Sequence, residues 1–206
     1  METKVTLYGA SGHCKVIIDI LNCNAITIEK VIDDNPKKND ILGLSILNSK
    51  DLDLNNLKNV ILSIGNNLFR KKLASKLDIN FLTAIHPTAI ISKNVIIENG
   101  TVIMAGAIIN PDTIIKKHCI INTGAIIEHD CLVNNFAHVS PGASLAGNVT
   151  IGEGTHVGIG AIVIQGVTIG KWATIGAGAI IIKDIPDYAV VVGNPGKIIK
   201  YNKENE

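Results

Sequence analysis

The fold is decided by a stretch that repeats itself every six residues: residues 119–133 read CIINTGAIIEHDCLV. Each unit begins with a small residue followed by two aliphatic ones, and a Gly or Asp stands three places after the second of these. Extended in both directions from Ile121, the six-residue step meets Ile, Leu or Val at every position from Ile85 to Ile181. A period kept without a gap over this span indicates a repeat architecture.

The other positions of the unit indicate how it folds. The residue two before each aliphatic is small or β-branched throughout, and the residue three after it is Gly, Asn or Asp in thirteen of seventeen units. Because these three residue types tolerate the positive φ of a tight corner, each unit predicts one short flat strand and one corner. Three units close a triangular coil in which residues eighteen apart stack on each other. We therefore predict a parallel β-helix of hexapeptide repeats with an aliphatic interior.

One outward face of this β-helix is unusually apolar. The residue one place before each interior aliphatic points outward, and on this face it is Ile90, Ile108, Ile126, Ser144, Ile162 and Ile180. An exposed apolar patch of this extent marks an interaction surface on a soluble protein. We therefore predict that the face is buried against other copies of the chain in a homotrimer.

The first eighty residues lose the six-residue register and alternate strand-like with helix-like runs. Apolar runs predict strands at residues 5–10, 25–32 and 60–64, and helical spacing predicts helices at residues 16–21 and 68–77. This alternation indicates a small α/β, Rossmann-like domain with a parallel sheet. We divide the chain into this domain, residues 1–80, and the β-helix with a C-terminal tail, residues 81–206.

A polar cluster follows each predicted strand of the first domain: GASGH at residues 9–13, DD at 33–34 and GNN at 65–67. Such sheets bind ligands at the carboxyl ends of their strands. A helix start at His13 suits a phosphate, and an acidic pair about twenty residues further on suits a ribose or base. Eighty residues are too few for a whole dinucleotide-binding domain, so we expect a mononucleotide or a nucleotide sugar as the ligand.

Composition restricts the class of protein further. The net charge is +1, which does not favour a nucleic acid as partner. No run of about 18 apolar residues is present, so we predict no membrane span, and the first residues lack the pattern of a signal peptide. The four cysteines form no C-x-x-C pair, which is typical of free thiols in a reducing compartment. We expect a cytoplasmic protein.

The corner at residues 128–130 places a histidine between two carboxylates, Glu-His-Asp. A flanking carboxylate can hold the imidazole in one tautomer and raise its basicity, as a general base requires. Gly147 follows His129 by eighteen residues, so we expect it to stack over the histidine and to leave room for a ligand beside the ring. His138 is predicted on an outward face, one coil below His156.

Six motifs occur in order along the chain: GASGH, IDD, SIGNNxxRKK, NTGAIIEHD, HVSPGAxxAGNV and VGNPGK. Together they resemble the PglD/NeuD-like nucleotide-sugar acetyltransferases over essentially the whole chain, and most closely the enzymes of the bacillosamine pathway. The resemblance implies a left-handed β-helix and a homotrimer with active sites between subunits. It also implies acetyl-CoA as co-substrate, no metal, and N-acetylation of UDP-4-amino-4,6-dideoxy-N-acetylglucosamine.

The same resemblance implies roles for individual residues. His129 is the implied general base, with Asp130 supporting it and Asn122 orienting it. Acetyl-CoA contacts are implied for His138, Gly147, Ile159 and Ala177, and nucleotide-sugar contacts for Ser11, Gly12, His13, Asp33, Asp34 and Gly65. The implied mechanism is direct transfer, in which His129 takes a proton from the sugar amine as it attacks the thioester. A backbone N–H near Gly147 is expected to stabilise the oxyanion.

Other functions stay open at the level of sequence. A general base serves a hydroxyl as well as an amine, so O-acetylation of sialic acid or another sugar fits, as does N-acetylation of a dTDP- or GDP-linked amino sugar. A metal β-helix of the γ-carbonic-anhydrase type is a second class, although the histidine spacings lack an H-x-x-x-x-H pair. A non-catalytic scaffold leaves the polar clusters of the first domain unexplained. We interpret His86 and His118 as solvated corner residues, and Cys119 and Cys131 as interior residues unsuited to be nucleophiles.

Overall fold

The structure, a computed structural model, describes residues 4–203, so the outer ends of the two predicted domains, residues 1–3 and 204–206, lie outside the described residues. The N-terminal part contains β1 (Lys4–Tyr8), α1 (Gly12–Cys23), β2 (Thr27–Asp33), β3 (Asp40–Ile41), β4 (Leu44–Asn48), β5 (Val60–Leu62) and α2 (Asn67–Ala74). Two 3-10 helices, Ser49–Asp51 and Leu54–Asn56, lie between β4 and β5. All three strands and both helices predicted in this part are present, with their ends shifted by a few residues.

These strands form one sheet in the order β3-β4-β2-β1-β5, in which β4, β2, β1 and β5 are parallel. Strand β3 runs antiparallel to β4, so the prediction of a wholly parallel sheet is wrong at this edge. Leu42 and Gly43 join the two strands, and both have positive φ, as a two-residue hairpin turn requires. The hairpin escaped prediction because Leu-Gly lacks the Asn-Gly or Asp-Gly signature of such turns.

From residue 84 onward the chain forms short parallel strands, each of two residues. They are β6 (Ala84–Ile85), β7 (Ile90–Ile91), β8 (Ile96–Ile97), β9 (Val102–Ile103), β10 (Ile108–Ile109), β11 (Ile114–Ile115), β12 (Ile120–Ile121), β13 (Ile126–Ile127), β14 (Leu132–Val133), β15 (His138–Val139), β16 (Ser144–Leu145), β17 (Thr150–Ile151), β18 (His156–Val157), β19 (Ile162–Val163), β20 (Thr168–Ile169), β21 (Thr174–Ile175) and β22 (Ile180–Ile181). Strands eighteen residues apart pair in register, as His138 does with His156. The predicted left-handed parallel β-helix is confirmed.

The predicted corner position is also confirmed. Every sixth residue from Gly100 to Gly178 has a φ between 55° and 76°. This includes His118, Phe136 and Trp172, which do not belong to the residue types that favour this conformation. The corner geometry is therefore imposed by the repeat as a whole, even where the local residue opposes it.

The last coil is shorter than the others. Thr174 pairs with Val190, sixteen residues further on instead of eighteen. Strand β23 (Ala189–Val192) extends the sheet of β21, and β24 (Lys197–Tyr201) runs back antiparallel to β23. This pairing covers the edge of the last coil, which would otherwise present unpaired backbone groups.

One face of the β-helix carries the N-terminal part. We call this face, formed by β6, β9, β12, β15, β18 and β21, the domain-facing sheet. Its residues Ala84, Val102 and Ile120 are buried in one apolar cluster with Ile17 and Leu21 of α1. The core of the N-terminal part is therefore continuous with the first coils of the β-helix.

The other two faces are uncovered in the single chain. Ile90, on the predicted apolar face, is 64% exposed, Ile162 on the same face is 45% exposed, and Ile96 on the third face is 55% exposed. Both uncovered faces meet at the corner that holds residues 128–130 and 146–148, which we call the dyad corner. The homotrimer was predicted because an exposed apolar surface of this extent marks an interaction surface.

Helix α2 packs against a second corner, which we call the seam corner and which consists of Gly100, His118, Phe136, Gly154, Trp172 and Tyr188. Arg70 of α2 is buried here, and its N–H groups donate to five oxygen atoms, those of His118, Ile64, Gly65 and Phe136 main chains and Asn67 Oδ1. Burial lowers the pKa of Arg70 to about 10. This side chain ties the helix, the end of β5 and two coils together.

His118 is buried at this corner, 6% exposed, in ring contact with Phe81 and Phe136. The interpretation of His118 as a solvated residue is therefore wrong. Sequence spacing located the corner correctly, but it could not show that the N-terminal part covers it.

Candidate active site

His129 and Asp130 form a hydrogen-bonded pair at the dyad corner, with Nδ1 of the histidine 2.7 Å from Oδ2 of the aspartate. Both side chains are exposed, at 59% and 60%. The hydrogen bond to Asp130 raises the pKa of His129 above its ordinary value. Because the carboxylate holds the Nδ1 proton, the lone pair of the neutral ring is on Nε2.

Gly147 lies one coil above His129, as predicted, and Asn148 N donates to His129 O at 2.9 Å. A Cβ placed on Gly147 would lie 2.6 Å from His129 Cε1 and 2.8 Å from Nε2. The space left by the missing side chain is thus filled by the imidazole itself. Room for a ligand beside the ring stays a prediction. Glycine is required at this position because any side chain would displace the ring.

His138 lies on the domain-facing sheet beside His156, with 4.8 Å between ring centroids. Asn122 Nδ2 is 3.0 Å from His138 Nε2, while Asn122 Oδ1 accepts from Thr123 N. The amide therefore donates to Nε2, which places the proton of the neutral ring on Nδ1. Burial lowers the pKa of His138 to about 2, so this imidazole stays neutral. Within the chain Asn122 orients His138, and the predicted contact with His129 is not made.

Ile159 and Ala177 stack on the third corner, which follows the domain-facing sheet in each coil. We call it the glycine corner because its last residues include Gly124, Gly142, Gly160 and Gly178. Apart from the glycine itself and its two neighbours along the chain, no atom of residues 4–203 lies within 4 Å of a Cβ placed on any of these four. Ile159 is 57% exposed. An open, apolar strip therefore runs beside His138, along the corner that holds two of the residues predicted to contact acetyl-CoA.

The residues predicted for catalysis and for acetyl-CoA binding form two groups that one chain does not bring together. In each coil the chain passes from the domain-facing sheet to the glycine corner, then to the dyad corner, then to the seam corner. The dyad corner is the only one of the three that does not border the domain-facing sheet. His129 and Gly147 therefore lie across the triangular coil from His138.

A cleft of about 530 Å³ lies at the carboxyl ends of β1 and β2, where the sequence predicted the nucleotide-sugar site, and Ser11, Gly12 and Asp33 line it. Ser11 is the N-cap residue of α1, but its side chain makes no capping hydrogen bond. No side chain of the cap therefore satisfies the backbone N–H groups of the first turn, which suits an anion. Asp33 Oδ2 accepts from Ala10 N at 2.8 Å.

Three lysines outside the predicted site, Lys15, Lys37 and Lys38, also line this cleft. We call it the acceptor cleft because the nucleotide sugar was predicted to bind here. Their signal was the basic pair in the segment NPKK, residues 35–38. Cations beside a helix N-terminus provide the charge that a diphosphate requires. The segment was overlooked because it precedes the unpredicted β3–β4 hairpin.

Three other predicted substrate residues, Asp34, His13 and Gly65, do not line the cleft. Burial alone would raise the pKa of Asp34, but hydrogen bonds from Ser49 Oγ and Tyr8 Oη, both 2.6 Å long, lower it overall. We correct the assignment of Asp34, since its carboxylate is engaged within the domain. His13 is mostly buried, which lowers its pKa to about 4, and its Nε2 has no hydrogen-bond partner. Gly65 lines a neighbouring cleft of about 620 Å³.

Other chemical groups fit a catalytic role less well. Cys119 and Cys131 are buried, which raises the pKa of Cys119 to about 12 and that of Cys131 above its ordinary value. In the described part of the chain, one group could offer three metal ligands, Asp19, Cys23 and His86, and none of them belongs to the candidate site. Of the helices in residues 4–203, none is long and apolar enough to cross a bilayer.

Both parts of the chain match known protein families. The PglD N-terminal domain matches residues 4–77, and the bacterial transferase hexapeptide (six repeats) matches residues 148–183. UDP-N-acetylbacillosamine N-acetyltransferase from Bacillus subtilis is 42% identical over 110 residues. This alignment covers 49% of the chain and 51% of the relative, so the chain spans about half the length of the curated relative it matches.

Solved structures match nearly the whole chain. One is a histidine-to-alanine mutant of GDP-perosamine N-acetyltransferase from Caulobacter crescentus in complex with CoA and GDP-perosamine. It is 35% identical, with a TM-score of 0.91 over 97% of this chain and 98% of that chain. The acetyltransferase domain of PglB from Neisseria gonorrhoeae, in complex with acetyl coenzyme A, is also 35% identical, with a TM-score of 0.89 over 97% and 100%. On these matches the chain belongs to the PglD-like family of hexapeptide-repeat sugar acetyltransferases.

Proposed function

We propose that the protein transfers acetyl from acetyl-CoA to the amine of a nucleotide-linked sugar, UDP-4-amino-4,6-dideoxy-N-acetylglucosamine. The observation that carries the proposal is the exposed His129–Asp130 pair, with 2.7 Å between Nδ1 and Oδ2. A separate cleft at Asp33 has the cations and the helix N-terminus that a nucleotide diphosphate requires. The curated relative is named for a UDP-linked acceptor, and the solved relatives hold CoA, acetyl-CoA or GDP-perosamine.

The mechanism follows from the hydrogen bond between the dyad residues. As the sugar amine attacks the thioester carbon, His129 Nε2 takes the amine proton, and Asp130 stabilises the imidazolium that forms. When the tetrahedral intermediate collapses, the C–S bond breaks and the departing thiolate of CoA takes that proton. The backbone N–H of Gly147 donates no hydrogen bond within the described residues, whereas those of Ala146 and Asn148 do. It is the donor we assign to the oxyanion.

The complete site, in this proposal, forms between subunits of a homotrimer. Acetyl-CoA can touch both Gly147 and His138 only if two chains supply them, because the two residues lie across the coil from each other. We call the open strip along the glycine corner the donor strip. Packing the dyad corner of one chain against the glycine corner of the next brings His129 to this strip. The same packing buries the exposed isoleucines, which include Ile90 and Ile162.

Two measurements test this assembly. Sedimentation equilibrium should return about three times the 21.9 kDa mass of the chain, and a monomer would contradict the proposal. Mixed oligomers of His129→Ala and His138→Ala chains should recover activity that neither variant has alone, since some sites then combine an intact His129 with an intact His138. Sites contained within one chain would show no recovery.

The activity is tested by offering acetyl-CoA together with UDP-, dTDP- and GDP-linked 4-amino sugars and with sialic acid. Release of the CoA thiol gives the rate, and the mass of the product shows whether nitrogen or oxygen was acetylated. We expect the UDP-sugar to have the highest kcat/KM. Absence of turnover with every amino sugar would overturn the proposed activity.

A GDP-linked amino sugar is the second candidate acceptor. The relative bound to GDP-perosamine matches nearly the whole chain, whereas the alignment with the UDP-sugar enzyme covers only half of it. The same side-by-side assay decides between the two bases. In either case the variant Lys37→Gln/Lys38→Gln should raise KM for the nucleotide sugar and leave KM for acetyl-CoA unchanged.

A further inference from the structure

A cleft of about 820 Å³ lies where α2 faces the upper part of the seam corner. It is on the opposite edge of the domain-facing sheet from the glycine corner, so neither the dyad nor the donor strip uses it. Five lysines line it, from three separate segments: Lys71, Lys72, Lys76, Lys171 and Lys203. Among the described residues that line this lysine cleft, Glu153 is the single carboxylate.

Carboxylates of the described chain lie close to two of these lysines. Lys71 contacts Glu153, and Lys171 Nζ lies 3.8 Å from Asp187. Lys72 and Lys76 are exposed, and neither makes an ion pair with a carboxylate of the described chain. Lysines at the end of α2 also interact favourably with the helix dipole. That effect does not explain why Lys171 of the last coils and Lys203 of the C-terminal tail line the same cleft.

Two aromatic residues, both with an unfavourable backbone conformation, line the cleft. Trp172 has a φ of 55° and Tyr188 a φ of 63°, which costs a bulky L-residue roughly 1–2 kcal/mol. Phe136, at the same corner, stacks on His118, whereas Trp172 and Tyr188 line the cleft and are half-exposed. Because the repeat imposes this conformation along the seam corner, both rings are held at fixed positions in the wall of the cleft.

Further contacts hold the tryptophan in place. A Cβ placed on Gly154 would overlap the indole ring, so the absence of a side chain there is what lets the ring rest on the neighbouring coil. Asn202 of the tail donates from Nδ2 to Trp172 O at 3.2 Å. Lys71 Nζ lies 5.3 Å from the ring centroid, within the range of a cation–π contact. Aromatic and cationic groups are therefore fixed side by side.

We propose that the lysine cleft binds the base and phosphates of a nucleotide, at a site distinct from the acceptor cleft at Asp33. Lysine ammonium groups bind phosphates as point charges, and aromatic side chains stack on bases without sequence preference. The volume falls within the range usual for small-molecule sites. The ligand chemistry is that of a nucleoside polyphosphate, supplied either by a free nucleotide or by the nucleotide end of CoA.

Trp172 is the chain's only tryptophan, so its fluorescence reports directly on this cleft. The intact protein is titrated with ATP, CoA, tripolyphosphate and adenosine. ATP or CoA should give a saturable change, and adenosine, which lacks phosphates, should not saturate in the same range. Tripolyphosphate should compete with the nucleotide that binds, because it carries the same phosphate charge.

Matched variants show whether the response comes from the cleft. Lys72→Gln/Lys76→Gln should raise the Kd of that nucleotide about tenfold, since hydrogen bonds to charged groups are lost. Lys58→Gln changes an exposed lysine outside the cleft and should leave Kd unchanged. Calorimetry with Trp172→Phe should detect weaker binding without relying on fluorescence.

The outcomes separate the two sources of nucleotide. A lysine-dependent response to ATP alone supports a site for a free nucleotide, and one to CoA supports a site for the nucleotide end of the donor. No saturable response to either ligand, or the same Kd in the parent and in Lys72→Gln/Lys76→Gln, overturns the proposal. These results do not depend on acetyl transfer, so the proposed activity stands or falls separately.

Discussion

His118 and His129 are two histidines at different corners of the same β-helix, and their surroundings differ. Each ring packs over a glycine of a neighbouring coil, Gly100 for the first and Gly147 for the second. His118 is buried, and burial lowers its pKa to about 4. His129 is exposed, and its hydrogen bond to Asp130 raises its pKa. The repeat positions the ring, but the groups that surround it decide whether it is a packing element or a base.

The largest effect is expected from removing the exposed ring. His129→Ala should lower kcat by about 10²–10⁴-fold, the usual contribution of a positioned general base, and should leave acetyl-CoA affinity nearly unchanged. Single-turnover acetylation and calorimetric titration measure the two quantities. His86→Ala, at a corner of the first coil, is the control and should keep its kcat. A kcat of His129→Ala within a factor of a few of the parent would place the base elsewhere.

The glycines against which the two rings pack give a matched pair of smaller changes. Gly147→Ala should push the His129 ring away and lower kcat by up to about 10²-fold, since a misplacement of about 1 Å can cost that much, with little loss of stability. Gly100→Ala should instead destabilise the fold, because the buried ring of His118 cannot move and the φ of 76° disfavours alanine. Urea unfolding and steady-state kinetics on both variants measure this. The reverse pattern would contradict the assignment of the two corners.

The carboxylate of the dyad should set the pH dependence of the reaction. The base acts when it is deprotonated, so kcat/KM rises as pH increases through the pKa of His129. Asp130→Asn removes the charge that raises this pKa, so the rise should move to lower pH while the plateau falls about tenfold. Asparagine tolerates the φ of 60° at this position. An unshifted rise in the kcat/KM profile would show that Asp130 does not tune the base.

The smallest effect concerns stability in acid. The pKa of His118 is about 4 in the fold and near 6.5 in an unfolded chain. Between these values the unfolded chain binds a proton that the folded chain does not, so the free energy of unfolding should decrease as pH falls from 6.5 to 4. The slope for one such group is about 1.4 kcal/mol per pH unit.

His118→Phe should remove this share of the acid sensitivity, which urea unfolding at several pH values measures. Phenylalanine already adopts the same corner conformation at Phe136, so the variant should keep the fold and its kcat at neutral pH. An unchanged slope in His118→Phe would mean that the ring is not held neutral by burial.

Prediction from sequence succeeded where the signal is local. The strand and corner of each unit depend on six consecutive residues, and the dyad depends on His129 and Asp130, which are adjacent. Prediction failed where partners are distant in sequence. Asp34 looked like a ligand-binding residue until Tyr8 and Ser49 were found to hold its carboxylate. The resemblance assigned Asn122 to His129, but within the chain Asn122 contacts His138.

By itself the sequence determined the β-helix, its register and its corners, because a period of six with a fixed interior residue permits one way of burying the aliphatic side chains. It also determined that an imidazole and a carboxylate meet at one exposed corner. Only the tertiary structure decided which corner the N-terminal part covers, because that depends on how α1 and α2 dock against the coils. Arg70 shows this most clearly: its five acceptors come from segments up to 66 residues away, and no local pattern encodes such a meeting.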